Sequence, residues 1–465
     1  MKLALSLFLA FALARQVASA AADPNNAVSF SRDVAPILNR QCANCHGPKK
    51  AKGGFRLQTF DNLMQYGSSK KPPITPGNAE KSRLYQLLVT TDEDDLMPKD
   101  ADPLPKAQIE IIRRWIEQGA KFDGADRSTV LSTLASSANH EAAPQNYRTP
   151  EPVTALAFSP DGAEIAVSGH DEVTIWSATD GKLLRRIGGL PSQTFALAYA
   201  RTKNLLAIAG GVSGELGEVR LVDPATGRLV RLLATLEETA LGVAFSPDDS
   251  QIAVSAADQS VRVFDANTGQ QTFRLDDHSD WVMSVAFSPD GKHLATASRD
   301  KTAKVIDLPG GEVRRTLRDH DNQVYDAAFS ADSQRVFSIG ADRALRVWDI
   351  DDPEKTGKKP LPIAMKFDAE PLRMKVTEKG MLVCCKDNSV RLISADGHKP
   401  LRSFRGGSDW LYALSYDEKS GRLAAGGYNG EVYIWNTGDG SAVLSFIAAP
   451  GFTPTASALA NEPAK

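Results

Sequence analysis

A repeat covering the C-terminal part of this chain leaves it few folds to choose from. An apolar anchor falls at Trp176, Val222, Phe264, Ile306, Trp348, Ile393 and Trp435, at spacings of 46, 42, 42, 42, 45 and 42 residues. A second series ends a short apolar run in each unit, at Phe158, Tyr199, Phe245, Phe287, Phe329, near Val376, and at Tyr416. Val153 to Phe446 is 294 residues, or 42 for each of seven units. The units also carry the turns that four short antiparallel strands need. Ser159-Pro160-Asp161-Gly162, Ser246-Pro247-Asp248-Asp249 and Ser288-Pro289-Asp290-Gly291 suit a first hairpin, and Thr226-Gly227 and Thr268-Gly269 a last one. A period of about 40–45 residues with four strands per unit predicts a seven-bladed propeller over 153–447, with a tail at 448–465.

The residues ahead of the repeat are organised differently. Their stretch 124–152 contains Ser, Ala and Pro without strong periodicity and reads as a linker, with a helical turn at Thr129–Ala135. The whole chain has 465 residues, 54 Lys plus Arg against 57 Asp plus Glu, and four Cys. A net charge of −3 gives no footprint for nucleic acid. Four cysteines cannot make a disulfide-dense scaffold.

The N-terminus reads as an export signal. Met1-Lys2 leads into the apolar run Leu3–Ala14, then Arg15 and the small residues Ala18-Ser19-Ala20-Ala21-Ala22. The run is too short for a bilayer span. Cleavage after Ala20 or Ala22 is expected, giving a periplasmic protein with no integral membrane segment.

The chemistry sits at Cys42-Ala43-Asn44-Cys45-His46, a C-x-x-C-H pattern that reads as c-type haem attachment. Two thiols one helical turn apart can add to the two vinyl groups of one haem, and the adjacent His46 then lies under the iron. A zinc site wants a second Cys/His pair nearby, and none comes before His140. Phe30, Val34, Ile37 and Leu38 recur at helical spacing, with Ser31 as N-cap, so a short helix delivers the motif. Ile109, Ile112, Trp115 and Ile116 mark a second helix from about Pro105, closed by Gly119. The sixth iron ligand should be a soft or imidazole side chain facing His46. Among Met64, Met97 and His140, Met97 is expected to serve. Met64 lies in an apolar run that suits a core position, and His140 lies in the linker.

Residues Phe30 to Phe122 resemble the planctomycete-type cytochrome c domain. The marks are Arg32-Asp33-Val34 and Pro36-Ile37-Leu38, Cys45-His46-Gly47-Pro48, Gly53-Gly54-Phe55-Arg56-Leu57, Pro76-Gly77-Asn78, Met97-Pro98, and Arg114-Trp115-Ile116-Glu117-Gln118-Gly119-Ala120. The resemblance puts the proximal His at His46 and the distal Met at Met97. The repeat region resembles the WD-repeat family. His320, Ser338, Asp342 and Trp348 match that family's hydrogen-bonded set in the fifth unit. The fourth unit keeps His278, Ser298 and Asp300 but has Ile306 in place of Trp.

The expected architecture is therefore multidomain: a signal at 1–22, a small all-α c-type cytochrome domain at 28–123, the linker, and an all-β seven-bladed propeller. The leading functional expectation is an exported electron carrier with one covalent haem c and no substrate site of its own. A protein redox partner would dock on the cytochrome, the propeller or both. Two alternatives are an oxidoreductase with a second site in the propeller, fed by the cytochrome, and a haem-based redox or ligand sensor. No catalytic set stands out: His170, His278 and His320 fall at one face of the propeller, and His293 and His398 at the other. The Gly210–Gly217 run lacks the Lys of a phosphate loop and reads as a long hairpin. Cys384 and Cys385, neighbours in a strand, should point to opposite faces as small buried hydrophobes.

Overall fold

The computed structural model describes residues 27–47, 51–92, 94–99, 103–123, 127, 131, 140, 142–214, 216–351, 363–407 and 409–452. The expected signal segment 1–22 lies outside them, as do most of Thr129–Ala135 and residues 453–465 of the tail. The chain divides into two compact units, Met1–Ala135 and Ser136–Lys465.

The described part of the first unit is helical and loop-rich. A π-helical turn, Phe30–Val34, leads into helix α1, Ala35–His46, which has Pro36 in its first turn. Proline suits that place because its missing N–H would be unbonded there anyway. Ser31 does not cap this helix. Its hydroxyl donates instead to Asp123 Oδ1 at 2.6 Å, and the helix begins later, after Val34. The helix ends where it does because Gly47 turns away from it; a Cβ there would lie 2.4 Å from the Ala43 carbonyl oxygen. Helices α2 (Phe60–Leu63), α3 (Arg83–Val89) and α4 (Lys106–Glu117) follow. Thr59 caps α2 by accepting the Asn62 N–H at 3.1 Å. The core gathers Phe30, Val34, Leu38, Phe60, Leu63 and Trp115, all buried. Phe30 packs edge-on against Phe60, with ring centres 4.7 Å apart, and lies 5.1 Å from Trp115.

The second unit is a seven-bladed β-propeller. Seven four-stranded antiparallel sheets follow one another along the chain, over 156–188, 193–236, 240–275, 282–317, 324–366, 371–405 and 411–447. Within each, the strands pair in sequence order. The seven anchors are all buried and occupy equivalent registers, with Trp176 opposite Ile165, Ile306 opposite Leu294, and Trp435 opposite Leu423. Serine and aspartate fix the first hairpins: the Ser159, Ser246 and Ser288 hydroxyls each donate to the Asp two residues on, at 2.6 Å. Gly210–Gly217 lies in a long hairpin of blade two, with Val212 paired to Leu216.

The ring closes without sharing a strand. Blade seven supplies its own outer strand, Ala442–Ile447, and meets blade one side by side. The Phe158 N–H donates to Ser415 Oγ at 3.1 Å, Val153 N–H to the Gly427 carbonyl at 3.0 Å, and Arg422 to the Ala178 carbonyl at 3.0 Å. Trp176 and Phe446 pack across this seam, 5.0 Å between ring centres.

Part of 124–152 is tied down. Leu131 belongs to the first core, whereas Tyr147 is buried on the propeller. The Tyr147 hydroxyl donates to Glu172 at 2.8 Å, and its N–H donates to the Pro450 carbonyl at 2.9 Å.

Candidate functional site

A cavity of about 280 Å³ opens in the first unit, lined by Cys42, Cys45, His46 and Met97. Residues three or four apart share one face of a helix, so the last turn of α1 carries both cysteines and His46 to the same wall. The His46 carbonyl accepts the Leu57 N–H at 2.7 Å, which pins the end of that helix to the next segment. Phe55 packs edge-on against the imidazole, 5.4 Å between ring centres. Met97 arrives from the loop after α3. Its N–H donates to the Leu87 carbonyl at 2.9 Å, and the Leu96 N–H to the Asp92 carbonyl at 2.9 Å, so two backbone bonds shape this loop. Arg83, at the start of α3, pairs with Asp95 of this loop at 3.1 Å.

The other walls are mixed. Phe55, Leu57, Leu84, Leu87 and Leu88 supply apolar surface, and Lys52, Lys71, Arg83 and Lys99 supply positive charge. Cys42 and Cys45 are not joined by a disulfide. Burial, with a smaller effect from Cys45, pushes the Cys42 thiol up to about 12. His46 Nδ1 is buried and has no hydrogen-bond partner among the described residues. Two thiols, an imidazole and a thioether around one largely apolar cavity form a donor set that fits a haem.

The structure separates the candidates for the sixth ligand. Met64 packs against the hydrophobic core and is not among the cavity's lining residues. His140 belongs to the second unit, where Nε2 lies 3.1 Å from Glu218 Oε2, both side chains buried.

Two family matches agree with this division. Planctomycete cytochrome C matches residues 42–101, and the WD domain, G-beta repeat, matches 145–177, 231–265, 269–307, 311–349 and 398–436. The chain is a planctomycete-type cytochrome c domain fused to a WD-repeat β-propeller. No curated protein matches it. The first match contains all four cavity residues named above. The repeat matches leave out most of blades two and six, although both form the same four-stranded sheet as the others.

The polar set of blade five is assembled inside this WD-repeat propeller. His320 Nδ1 lies 2.9 Å from both Asp342 carboxylate oxygens, and Nε2 2.8 Å from Ser338 Oγ. Trp348 Nε1–H donates to the same Ser338 oxygen at 2.7 Å. Burial alone would raise the Asp342 carboxyl, but the hydrogen bond and charge of His320, together with the Asp321 and Ala344 N–H groups, hold it below the ordinary value. Blade four needs a correction. His278 bonds Asp300 at 2.8 Å, but its other partner is Thr296 Oγ1 at 2.8 Å, not Ser298. Ser298 donates to the Asp280 carbonyl instead. The spacing from His320 to Ser338 is 18 residues, and the same step from His278 reaches Thr296, a signal that sequence reading missed. Cys384 and Cys385 are buried in two different blade cores, as alternation in a strand requires. Among the described residues, no group of three or more His, Cys, Asp or Glu is placed to hold a metal ion.

Proposed function

We propose that the chain is an exported monohaem c-type cytochrome that transfers electrons, with its propeller as a docking platform for a protein redox partner. The observation that carries this reading is the convergence of Cys42, Cys45, His46 and Met97 on one cavity. When bound, the haem supplies a one-electron ferric/ferrous couple. Cys42 and Cys45, on the cavity wall, would hold it covalently through their two sulfurs. His46 would bind its iron through an imidazole nitrogen and Met97 through the thioether sulfur. The backbone bonds from Leu57 to His46 and from Met97 to Leu87 hold these ligands from opposite segments. A ligand pair fixed in this way changes little when one electron is added or removed. Leu57, Leu84, Leu87 and Leu88 keep water from the cavity walls, and a thioether ligand favours ferrous iron and raises the potential.

Export fits this chemistry, because attachment to a C-x-x-C-H motif is read as a periplasmic process. No described helix is long and apolar enough to cross a membrane. The test is to express the full chain with its signal in a host that matures c-type cytochromes. One covalent haem per chain with a low-spin ferric spectrum is expected. A high-spin ferric spectrum in the unaltered protein overturns the ligation, and full covalent haem in a variant lacking Met1 to Ala22 overturns the export.

A further inference from the structure

One end of blade seven gathers three aromatic side chains that no part of the haem reading uses. Trp410 precedes the innermost strand, Leu411–Asp417; Tyr412 lies in it; and Tyr428 follows the second strand, Arg422–Gly427. Antiparallel pairing of Leu411 with Gly427 brings the three together, and the Tyr428 N–H donates to the Trp410 carbonyl at 2.8 Å. The ring centres form a nearly equilateral triangle with sides of 6.3, 6.3 and 5.9 Å, at mutual tilts of 37–47°. This is not a core: Trp410 is 42% and Tyr428 51% exposed.

Two observations say what such a cluster takes. The first is a cation already on it. Lys386 Nζ lies 5.0 Å from the Trp410 ring centre, while also bonding Glu370 at 2.6 Å. An ammonium at that distance is attracted by the negative face of the ring. The second is local charge. Burial pushes the Tyr412 phenol up; Lys386 opposes this, and the nearby Asp409 and Glu370 carboxylates add to it. A neutral ligand would gain from the rings but nothing from these carboxylates. The triangle also suits a single charge. With a mean side near 6.2 Å, each corner lies 6.2/√3, or about 3.6 Å, from the centre. A cation up to roughly 4–5 Å above that centre is then within the ~6 Å reach of all three rings.

We propose that Trp410, Tyr412 and Tyr428 form a binding site for an organic ammonium group, carried by a small quaternary amine or by a peptide lysine. The site is independent of the haem. Lys386 acts as its internal competitor, held beside the rings by Glu370.

The test uses the full-length holoprotein and saturation-transfer NMR with three probes: choline, its neutral carbon isostere 3,3-dimethyl-1-butanol, and Nα-acetyl-lysine methylamide. The isostere should bind about tenfold more weakly than choline, within the range of cation–π attraction. Trp410→Leu and Tyr428→Leu should each weaken choline binding about three- to tenfold. Lys386→Met should strengthen it about threefold by removing the competitor. Choline binding points to a free amine as the source, and binding of the lysine compound alone points to a peptide. Binding of neither overturns the site, as does equal binding of the isostere. Should Trp410→Leu misfold, Tyr428→Leu and Lys386→Met still decide: unchanged choline affinity in both overturns the proposal.

Discussion

The two units hold themselves together in different ways. The cytochrome unit has one core, and a wall of that core is a cavity, so its packing is completed by whatever fills the space. The propeller has a separate core between each pair of neighbouring blades and repeats the solution seven times. In the first, the proposed haem site would fix the chemistry of a few positions: Cys42, Cys45, His46 and Met97, which line one cavity, could not then be exchanged for residues of similar size. In the second, Trp176, Val222, Phe264 and Ile306 occupy one register with four different side chains. An interior needs apolar volume more than identity, so repeats drift where a ligand site cannot.

The contrast breaks most visibly if the cavity is left unfilled. Changing Cys42 and Cys45 together to Ala should abolish covalent haem and lower the melting temperature of the cytochrome unit by about 10 °C or more, since ~1 kcal/mol moves a domain this small by roughly 4–8 °C. Calorimetry should show the propeller transition unmoved. A single transition that shifts as a whole would mean the units do not unfold separately.

Exchanging the two methionines tests the cavity more finely. Met97→Ala should keep the attached haem but lower its potential and open the iron to carbon monoxide. Met64→Ala should leave the spectrum alone and destabilise the unit by at most about 2 kcal/mol, because that side chain is only half-buried. The ligand assignment fails if the two spectra respond the other way round.

Where the propeller begins can be read from fragments. One starting at residue 140 keeps the Tyr147 bonds to Glu172 and Pro450, whereas one starting at residue 150 loses both. The shorter fragment should be less stable by about 1–3 kcal/mol, as a shift in urea midpoint. Equal midpoints would show that Tyr147 adds nothing.

Within the propeller, blades four and five can be compared. Ser338 serves both His320 and Trp348, but Thr296 serves His278 alone among the bonds of its set. Ser338→Ala should therefore cost about 2 kcal/mol and Thr296→Ala about 1. The smallest effect is on pH dependence. The Asp342 carboxyl is held below its ordinary value near ~3.9, so its contribution is present above that pH and lost as pH falls through the folded value. Asp342→Asn should flatten the acid limb of the propeller's stability below about pH 4; an unchanged limb would show that Asp342 does not contribute to it.

Much of this architecture is legible in the amino-acid sequence. The 42-residue period is enough for seven blades, because burying one apolar anchor per unit forces the same register each time. The C-x-x-C-H motif is legible because its chemistry is local to one helical turn. Features set by long-range packing are not. Ser31 has the sequence position of a cap, but Asp123, 92 residues away, takes its hydroxyl. Ser298 has the position of a partner for His278 because it is near Asp300 in sequence, yet the strand geometry presents Thr296 to that imidazole. Low periodicity at 140–147 gives no sign of Glu172 or Pro450, which hold Tyr147 on the propeller.

The closure of the ring has a genealogical consequence. Since every blade is one uninterrupted stretch of chain, and none borrows a strand across the seam, a blade is also a heritable unit. Tandem duplication or loss of a single gene segment adds or removes a whole blade without leaving a half-made sheet behind. The Tyr147–Pro450 bond puts the two ends of the ring side by side, so the order of blades along the gene could be rotated as well, with old ends joined and new ones opened between any two blades.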